Sequence, residues 1–423
     1  MLKEFTIKNF TSFNDETLFS MQADTERVSE HPDHVVNING NDLLKVASVY
    51  GPNGGGKTNL LNALSLAKMV QRNEGFADTY QFPCVFSNSN EIEETVFFVD
   101  EKYEMGYRFC IKPALQTDDE FDEEMTFKSR MNRQSFEIVA EEVSYRRAGS
   151  GDYKSLFERN DSGVVQSGVF DELINRNSEL RLAKTKSVIR YLFDTFANND
   201  GELSEGLDVI RRLYGQINGI IMLENRLSFF FTGSGAADVV KNQQKELTQI
   251  LNGLDINVKE IRYYDKRRYP VYFVREYECN GKKTEKELSF YMESDGTQKI
   301  FWMLVSILKN MKEGKIFYCN DMNAYLHPKL FREVVKLFQS NKYNSQLIFN
   351  SHDLINMDNE LFRRDEIWFA YKDDGFSTQL VPLSNIVNYK GEQVRKDAKF
   401  YKQYLEGKYG ADPFIKKGLN WNV

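Results

Sequence analysis

The sequence predicts an α/β fold, and three observations carry it. Strand-like and helix-like stretches alternate through the second half of the chain, as in a sheet covered by helices. A glycine-rich stretch, "GPNGGGKT" from Gly51 to Thr58, sits between a strand-like and a helix-like stretch. Separate strand-like pieces lie between about 81 and 147, apart from that alternation.

The elements follow in chain order. "MLKEFTIKNFTSF" alternates as a first or edge strand, and "KVASVY" at 45–50 is more uniformly apolar, the mark of a buried one. "ETVFFVD" and "YRFCI" are strand-like, and the acidic run "DDEFDEE" at 118–124 is a solvated loop. From about 170 to 253 the pattern is helical, in "DELINRNSELRLAKTKSVIRYLFDTF", "EGLDVIRRLYGQI" and "DVVKNQQKELTQILNG", with Gly253 as a helix stop. No heptad repeat is sustained, so no long coiled coil is expected. Strands return with "IRYY" and "PVYFVREYE". A helix after Gly296, a strand at 316–319, a helix from Pro328 and a strand at 346–349 follow. "EIWFAYKDDGFSTQLVPL" reads as a hairpin turning at Asp374-Gly375. These stretches divide the chain into 1–169, a helical insertion at 170–255, a second lobe at 256–390 and a helical tail at 391–423.

Composition excludes several classes. The four cysteines, Cys84, Cys110, Cys279 and Cys319, form no C-x-x-C pair, so neither a zinc site nor a disulfide framework is indicated. The most apolar run, 300–308, is far short of the roughly 20 residues of a membrane span, and "MLKEF" lacks a signal-peptide pattern. A soluble, cytoplasmic protein with no membrane partner is expected. The net charge of −7 lends no support to a broad nucleic-acid face.

Gly51, Pro52, Asn53, Gly54, Gly55, Gly56, Lys57 and Thr58 fit G-x-x-x-x-G-K-[ST] in the strand-to-helix setting that motif requires. Glycines turn backbone N–H groups inward around phosphate oxygens, and the helix start adds partial positive charge. Lys57 would reach the β and γ phosphates, Thr58 would meet Mg2+, and Asn59 completes the nucleotide-binding set. A plain glycine-rich turn is the alternative. An N-K-x-D guanine-reading motif occurs nowhere in the chain, which disfavours a GTPase.

Three later segments narrow the choice. "SDGTQK" (Ser294, Asp295, Gly296, Thr297, Gln298 and Lys299) would place a hydroxyl and N–H groups at a second helix start; an ordinary capped helix is the alternative. "NAYLHP" follows the buried strand 316–319, and "FNSHD" the strand 346–349. Of four histidines, His327 and His352 fall in these two segments. Either alone is more often structural, but in this order His352 reads as a γ-phosphate sensor.

This series of a P-loop, an S-x-G signature, an acidic strand end with L-H-P and a switch histidine resembles the ABC-type ATPase heads of the SMC and OLD-like group. "NFTSF", "ESDGTQK", "LHP", "SHD", "RRDEIWF" and "VRKDAKFYKQYLEGKYGADP" look like the small AAA-type ATPases of bacterial anti-phage systems, the RloA, AbiLi and AriA kind. The resemblance implies an ABC-type P-loop ATPase head with a mixed sheet, an antiparallel β subdomain and an inserted helical lid. It also implies ATP and Mg2+ as ligands, and a homodimer or higher homo-oligomer with ATP sandwiched between the P-loop of one copy and Ser294–Gln298 of another. A Toprim-type nuclease encoded nearby and a phage-derived trigger would complete the system. About seventy residues follow 349, too few for a nuclease domain in the same chain.

Aligned on L-H-P, the acid of the Mg2+ shell falls at Asn320, and the glutamate that orients the attacking water falls at Asp321. An amide oxygen is a poorer ligand for a hard cation than a carboxylate, and Asp321 is one methylene short, where a shift near 1 Å can cost on the order of a hundredfold in rate. The expectation is ATP binding with slow hydrolysis, Asp321 and His352 catalytic, and Thr58, Asn320 and Asp321 at the metal; alternatively Asp321 serves the metal alone. Thr11 stands where related heads often carry a basic residue, and Gln81 is the candidate Q-loop glutamine. "IRYYDKRRYP" at 261–270 mixes bases with aromatics and admits DNA as a partner through Arg267 and Arg268, with a solvated hairpin the preferred reading. A DNA-binding SMC/OLD-like repair ATPase, a transporter motor and a hydrolysis-deficient, nucleotide-gated scaffold remain rival readings.

Overall fold

Residues 1–27, 29–72, 83–114, 136–166, 180–197, 204–223, 236–267, 269–387 and 391–411 are described by the computed structural model. Gln81, the acidic run 118–124, Arg268 and the last twelve residues of the tail, 412–423, lie outside them.

A six-stranded sheet forms the centre, in the spatial order Ile220–Met222, Ile316–Cys319, Gln346–Asn350, Val46–Tyr50, Ile367–Lys372, Thr378–Pro382. The first five strands run parallel and the last is antiparallel, so the sheet is mixed. Val46–Tyr50, Ile316–Cys319 and Gln346–Asn350 are buried at every position, as parallel strands covered on both faces must be. Successive side chains therefore enter different cores. Ala47, Val49, Ile348 and Trp368 join one, while Val46, Tyr50, Phe349 and Phe369 join the other.

The first core is closed by the helix Lys57–Arg72 and by an eight-stranded sheet. Its strands, Leu180–Arg181, Val164–Gln166, Lys154–Arg159, Phe136–Arg147, Tyr103–Pro113, Ile92–Val99, Leu2–Lys8 and Thr17–Ser20, pair antiparallel throughout. The opening strand is thus an inner strand of that sheet, because Thr17–Ser20 covers its free edge. Gln346 ties the two sheets together: its Nε2 donates to the carbonyls of Leu2 and Leu44 at 3.0 Å each, and its Oε1 accepts from the Leu2 N–H.

The second core holds the helix Asp295–Asn310, buried continuously from Gln298 to Ile307, so its apolar run is a core helix. The helix Pro328–Gln339 shows Phe331, Val334, Val335 and Phe338 to the same core, the i, i+3, i+4, i+7 stripe of an amphipathic helix. Each such buried side chain contributes about 1.5–3 kcal/mol. The short helix Phe400–Leu405 of the tail packs here through Phe400 and Tyr404.

The helices of 170–255 are shared between the two cores. Val188–Leu192 and Glu205–Asn218 join the first, and Ala236–Asn242 and Gln244–Gly253 the second. Two short strands interrupt the expected run of helix: Leu180–Arg181 extends the antiparallel sheet and Ile220–Met222 edges the central one, because both find open neighbouring strands. The hairpin turns at Asp373–Phe376, and Gly253 ends its helix, as the sequence predicts.

Candidate functional site

The carboxyl ends of Val46–Tyr50, Ile316–Cys319 and Gln346–Asn350 converge, and the predicted residues gather there. Leaving the central strand, the chain turns at Gly51 (φ 144°) and Gly56 (φ 101°) before the helix begins at Lys57. Both glycines are also forced by close approach. A Cβ on Gly51 would sit 2.0 Å from the Ala370 carbonyl oxygen, and one on Gly56 2.2 Å from Oγ1 of Thr378. The loop is therefore pressed onto the hairpin Ile367–Pro382. Thr378 fixes it there: its N–H donates to the Ser12 carbonyl at 2.7 Å, and its hydroxyl lies 2.8 Å from Ser12 Oγ and 3.3 Å from the Gly55 carbonyl. Asn59 donates to Ser12 Oγ at 2.7 Å, so its side chain braces this clamp.

A cavity of about 270 Å³ is lined by Asn53, Gly54, Gly55, Gly56, Lys57, Thr58, Asn59, Asp321 and His352. Lys57 is buried, and its Nζ donates to the carbonyls of Gly51 and Pro52 at 2.9 Å each. Burial lowers its pKa, opposed by the charge of Asp321. The His352 imidazole is likewise held below its ordinary pKa, first by desolvation and then by the Lys57 ammonium, with Asp321 opposing. A helix start and a buried lysine on one glycine-lined cavity make a receptor for a multiply charged anion.

The Asn320-Asp321 pair is organised by a residue that the sequence reading passed over. Asn350, fully buried at the end of its strand, donates from Nδ2 to Asn320 Oδ1 (3.2 Å) and to Thr58 Oγ1 (3.4 Å), and its Oδ1 accepts the Asp321 N–H. Asp321 takes a left-handed backbone (φ 45°) and is exposed toward the cavity, whereas Asn320 does not line it. Among the described residues no group of three or more His, Cys, Asp or Glu side chains could hold a metal. The donor set at the cavity, one hydroxyl at Thr58 and one carboxylate at Asp321, suits a divalent cation that takes its remaining ligands from phosphates and water.

Ser294 caps the helix Asp295–Asn310, accepting the Thr297 N–H at 3.3 Å. Ser294 and Asp295 are exposed, and none of Ser294–Gln298 lines the cavity of their own chain. Gly296 is needed locally, since a Cβ there would lie 2.5 Å from the Tyr325 carbonyl oxygen. Gln298 is buried and donates to the Glu293 carbonyl at 2.7 Å. Lys299, the next residue, is buried and donates to the carbonyls of Asp321, Met322 and Ala324 at 3.0, 3.0 and 2.9 Å. Asn323 completes the link: its Oδ1 accepts Ser351 Oγ at 3.0 Å and the His352 N–H at 3.1 Å.

His327 is apart from this group; it caps its helix by accepting the Lys329 N–H at 3.2 Å. Thr11 lies beside the Ser12 clamp with φ 53° and its hydroxyl on the Phe10 carbonyl. In the 261–270 hairpin, Arg262 and Arg267 both pair with Glu287, and Arg267 stacks 3.9 Å from the Tyr264 ring centroid. Glu287 belongs to the strand Lys282–Ser289, so these two arginines are neutralised by the neighbouring strand.

The profile of the family described as AAA domain, putative AbiEii toxin, Type IV TA system matches residues 46–358. Among solved structures, the SMC head domain from Thermotoga maritima is 12% identical with a TM-score of 0.39, over 90% of this chain and 98% of that one. The SmcHead bound to the C-winged helix domain of ScpA is 11% identical with a TM-score of 0.37, over 90% of this chain and 96% of that one. No curated protein matches.

Proposed function

The chain belongs to the AAA domain family of putative AbiEii toxins and type IV toxin–antitoxin systems, and from that membership we propose that it binds ATP with Mg2+ at the Gly51–Thr58 cavity and hydrolyses it slowly. The observation that carries this reading is the convergence of Lys57, Thr58, Asp321 and His352 on one cavity. Lys57 neutralises the β and γ phosphates, and the loop N–H groups fix them. Thr58 and Asp321 hold Mg2+, which supplies charge neutralisation when bound. Asp321 orients water, and His352 contacts the γ phosphate. Calorimetry with Mg-ATP and single-turnover hydrolysis test it; a wild type that takes up no ATP, or binding untouched by Lys57→Ala, would sink it.

The proposed assembly is a homodimer or higher homo-oligomer in which Ser294–Gln298 of one copy closes the cavity of another. Its support is the exposure of Ser294 and Asp295 away from their own cavity, together with Met292, Tyr325 and Ile355, which are 74%, 67% and 72% exposed on the segments flanking the site. Such apolar groups suit a surface that is covered in use. Sedimentation with and without ATP reads it directly; a lone subunit in both conditions rejects it.

The finer setting is a sensor or scaffold of a cytoplasmic anti-phage complex with a phage-derived trigger and a separate Toprim-type nuclease. It rests on the sequence likeness of 394–413 and of the motifs "NFTSF", "ESDGTQK", "LHP", "SHD" and "RRDEIWF". All four cysteines are free thiols, in keeping with a reducing compartment, and among the described residues no helix is long and apolar enough to cross a membrane. Co-purification of a Toprim protein from the adjacent reading frame supports this setting, and a membrane permease there refutes it. A nucleotide-gated scaffold is the second reading, favoured by Asn320 in place of an acid; a turnover rate indistinguishable from buffer would select it.

A further inference from the structure

We propose that Phe376 and Phe86 form a stacking platform for the base of the nucleotide whose phosphates occupy the Gly51–Thr58 cavity, with purines preferred; this rests on the function proposed above. The two rings face one another at 5.5 Å between centroids and 20° between planes, yet Phe376 is 58% and Phe86 53% exposed. An aromatic pair held face to face and more than half exposed is a surface on which a flat heterocycle stacks.

Both rings are held by the backbone around them. Phe376 has a left-handed backbone (φ 60°), a conformation that a bulky side chain rarely adopts and that persists only where its surroundings enforce it. Asp373 enforces it here, its Oδ1 accepting the N–H groups of Gly375 and Ser377 at 2.9 Å each. Phe86 lies on a loop fixed by Asn9, which accepts the Cys84 N–H at 2.9 Å and donates to the carbonyls of Ser89 and Glu91 at 2.8 and 2.7 Å.

Continuity with the phosphate cavity identifies the occupant. Phe376 is two residues from Thr378, whose hydroxyl meets both the Gly55 carbonyl and Ser12, and Ser12 accepts from Asn59 on the cavity wall. Ser377 accepts the Asn14 N–H at 3.1 Å, so the hairpin tip is bonded to the 9–14 turn as well as to the loop. The cavity, about 270 Å³ and polar-walled, takes the phosphates. A nucleoside reaching out of it toward the hairpin tip would meet the exposed aromatic surface of this pair. Stacking tolerates any base but grows with ring area, which ranks purines over pyrimidines.

Calorimetry with Mg2+ would compare ATP, CTP and tripolyphosphate on the wild type, Phe376→Ala, the Phe86→Ala/Phe376→Ala double variant and Phe376→Tyr. The expected result is ATP binding weakened about tenfold or more in Phe376→Ala, weaker still in the double variant and close to wild type in Phe376→Tyr, with tripolyphosphate binding equal in all four. CTP should bind the wild type less tightly than ATP. Unchanged ATP affinity in the double variant overturns the platform, as does equal loss for ATP and tripolyphosphate or equal affinity for ATP and CTP. ATP-driven association lost with monomer affinity intact would make the pair a contact between copies and overturns it too. A wild type that binds neither ATP nor tripolyphosphate removes the phosphate site itself, and the platform with it.

Discussion

The Nδ2 amino group of Asn350 lies 3.2 Å from Oδ1 of Asn320 and donates to it. The orientation of the Asn350 amide is fixed, because its own Oδ1 accepts the Asp321 N–H and a flip would set two donors face to face. Asn320 therefore offers a neutral oxygen that is already engaged, a weak partner for a hard cation. An aspartate at 320 could keep the Asn350 bond and add a full charge beside Thr58. Asn320→Asp is expected to raise Mg2+ affinity and single-turnover hydrolysis by roughly tenfold or more, and Asp321→Asn to abolish turnover while sparing ATP binding. A Mg2+ titration of the three proteins reads both effects; no gain in Asn320→Asp means that Asn320 lies outside the metal shell.

Lys299 joins the Ser294 helix to the loop after Asp321 through three carbonyl oxygens. Its ammonium is buried and its pKa lowered mainly by desolvation, with Cys319 and Asp321 opposing. Lys299→Met fills the space but leaves the carbonyls unpaired, at a cost of about 1–3 kcal/mol. Asp321 then loses one of the contacts holding its left-handed backbone. Hydrolysis should fall well below the wild type while ATP affinity stays within about threefold, and a parallel fall in both would reduce Lys299 to a purely structural role.

The layout of the central sheet was legible because Val46–Tyr50, Ile316–Cys319 and Gln346–Asn350 are buried on both faces and so read as apolar runs. Lys57, Thr58, Asp321 and His352 were legible because each sits in a motif at a strand end. The clamp of Ser12, Asn59 and Thr378 was not, since Ser12 and Thr378 are 366 positions apart and neither breaks a local pattern. Asn350 left one signal, a fully buried amide closing an apolar strand, which must find hydrogen-bond partners. Arg267 shows the opposite case: its setting among aromatics admitted a nucleic-acid ligand beside the preferred solvated hairpin, and in the fold it pairs with Glu287 of the neighbouring strand and stacks on two tyrosine rings.

His352 supplies a pH test. In the free protein its pKa lies below the ordinary imidazole value, with burial the larger cause and Lys57 the next. Phosphate beside it reverses the sign of the local charge and raises that pKa, so binding takes up a proton. Affinity should then increase as pH falls through the imidazole range near about 6.5. Calorimetric affinity for tripolyphosphate, wild type against His352→Gln at each pH, isolates the effect from titration of the ligand. A wild-type advantage that is flat across the range would place His352 out of reach of the terminal phosphate.

Glu94 carries the last prediction, on stability. It lies 2% exposed within Ile92–Val99, opposite Ile7 and Phe109, and its Oε2 has no hydrogen-bond partner. Desolvation raises its pKa well above the ordinary carboxylate value. The folded chain thus keeps a proton that the unfolded chain releases above about 4.3. Its favourable contribution is complete below that pH and declines as pH rises toward the folded-state pKa, at a limiting slope of about 1.4 kcal/mol per unit. Glutamine has the same shape and no proton to lose. Glu94→Gln should match the wild type near pH 4 and become progressively more stable than it toward neutrality. Urea unfolding at several pH values measures the gap; a variant less stable at pH 7 would mean that the carboxylate is ionised and paired in the fold.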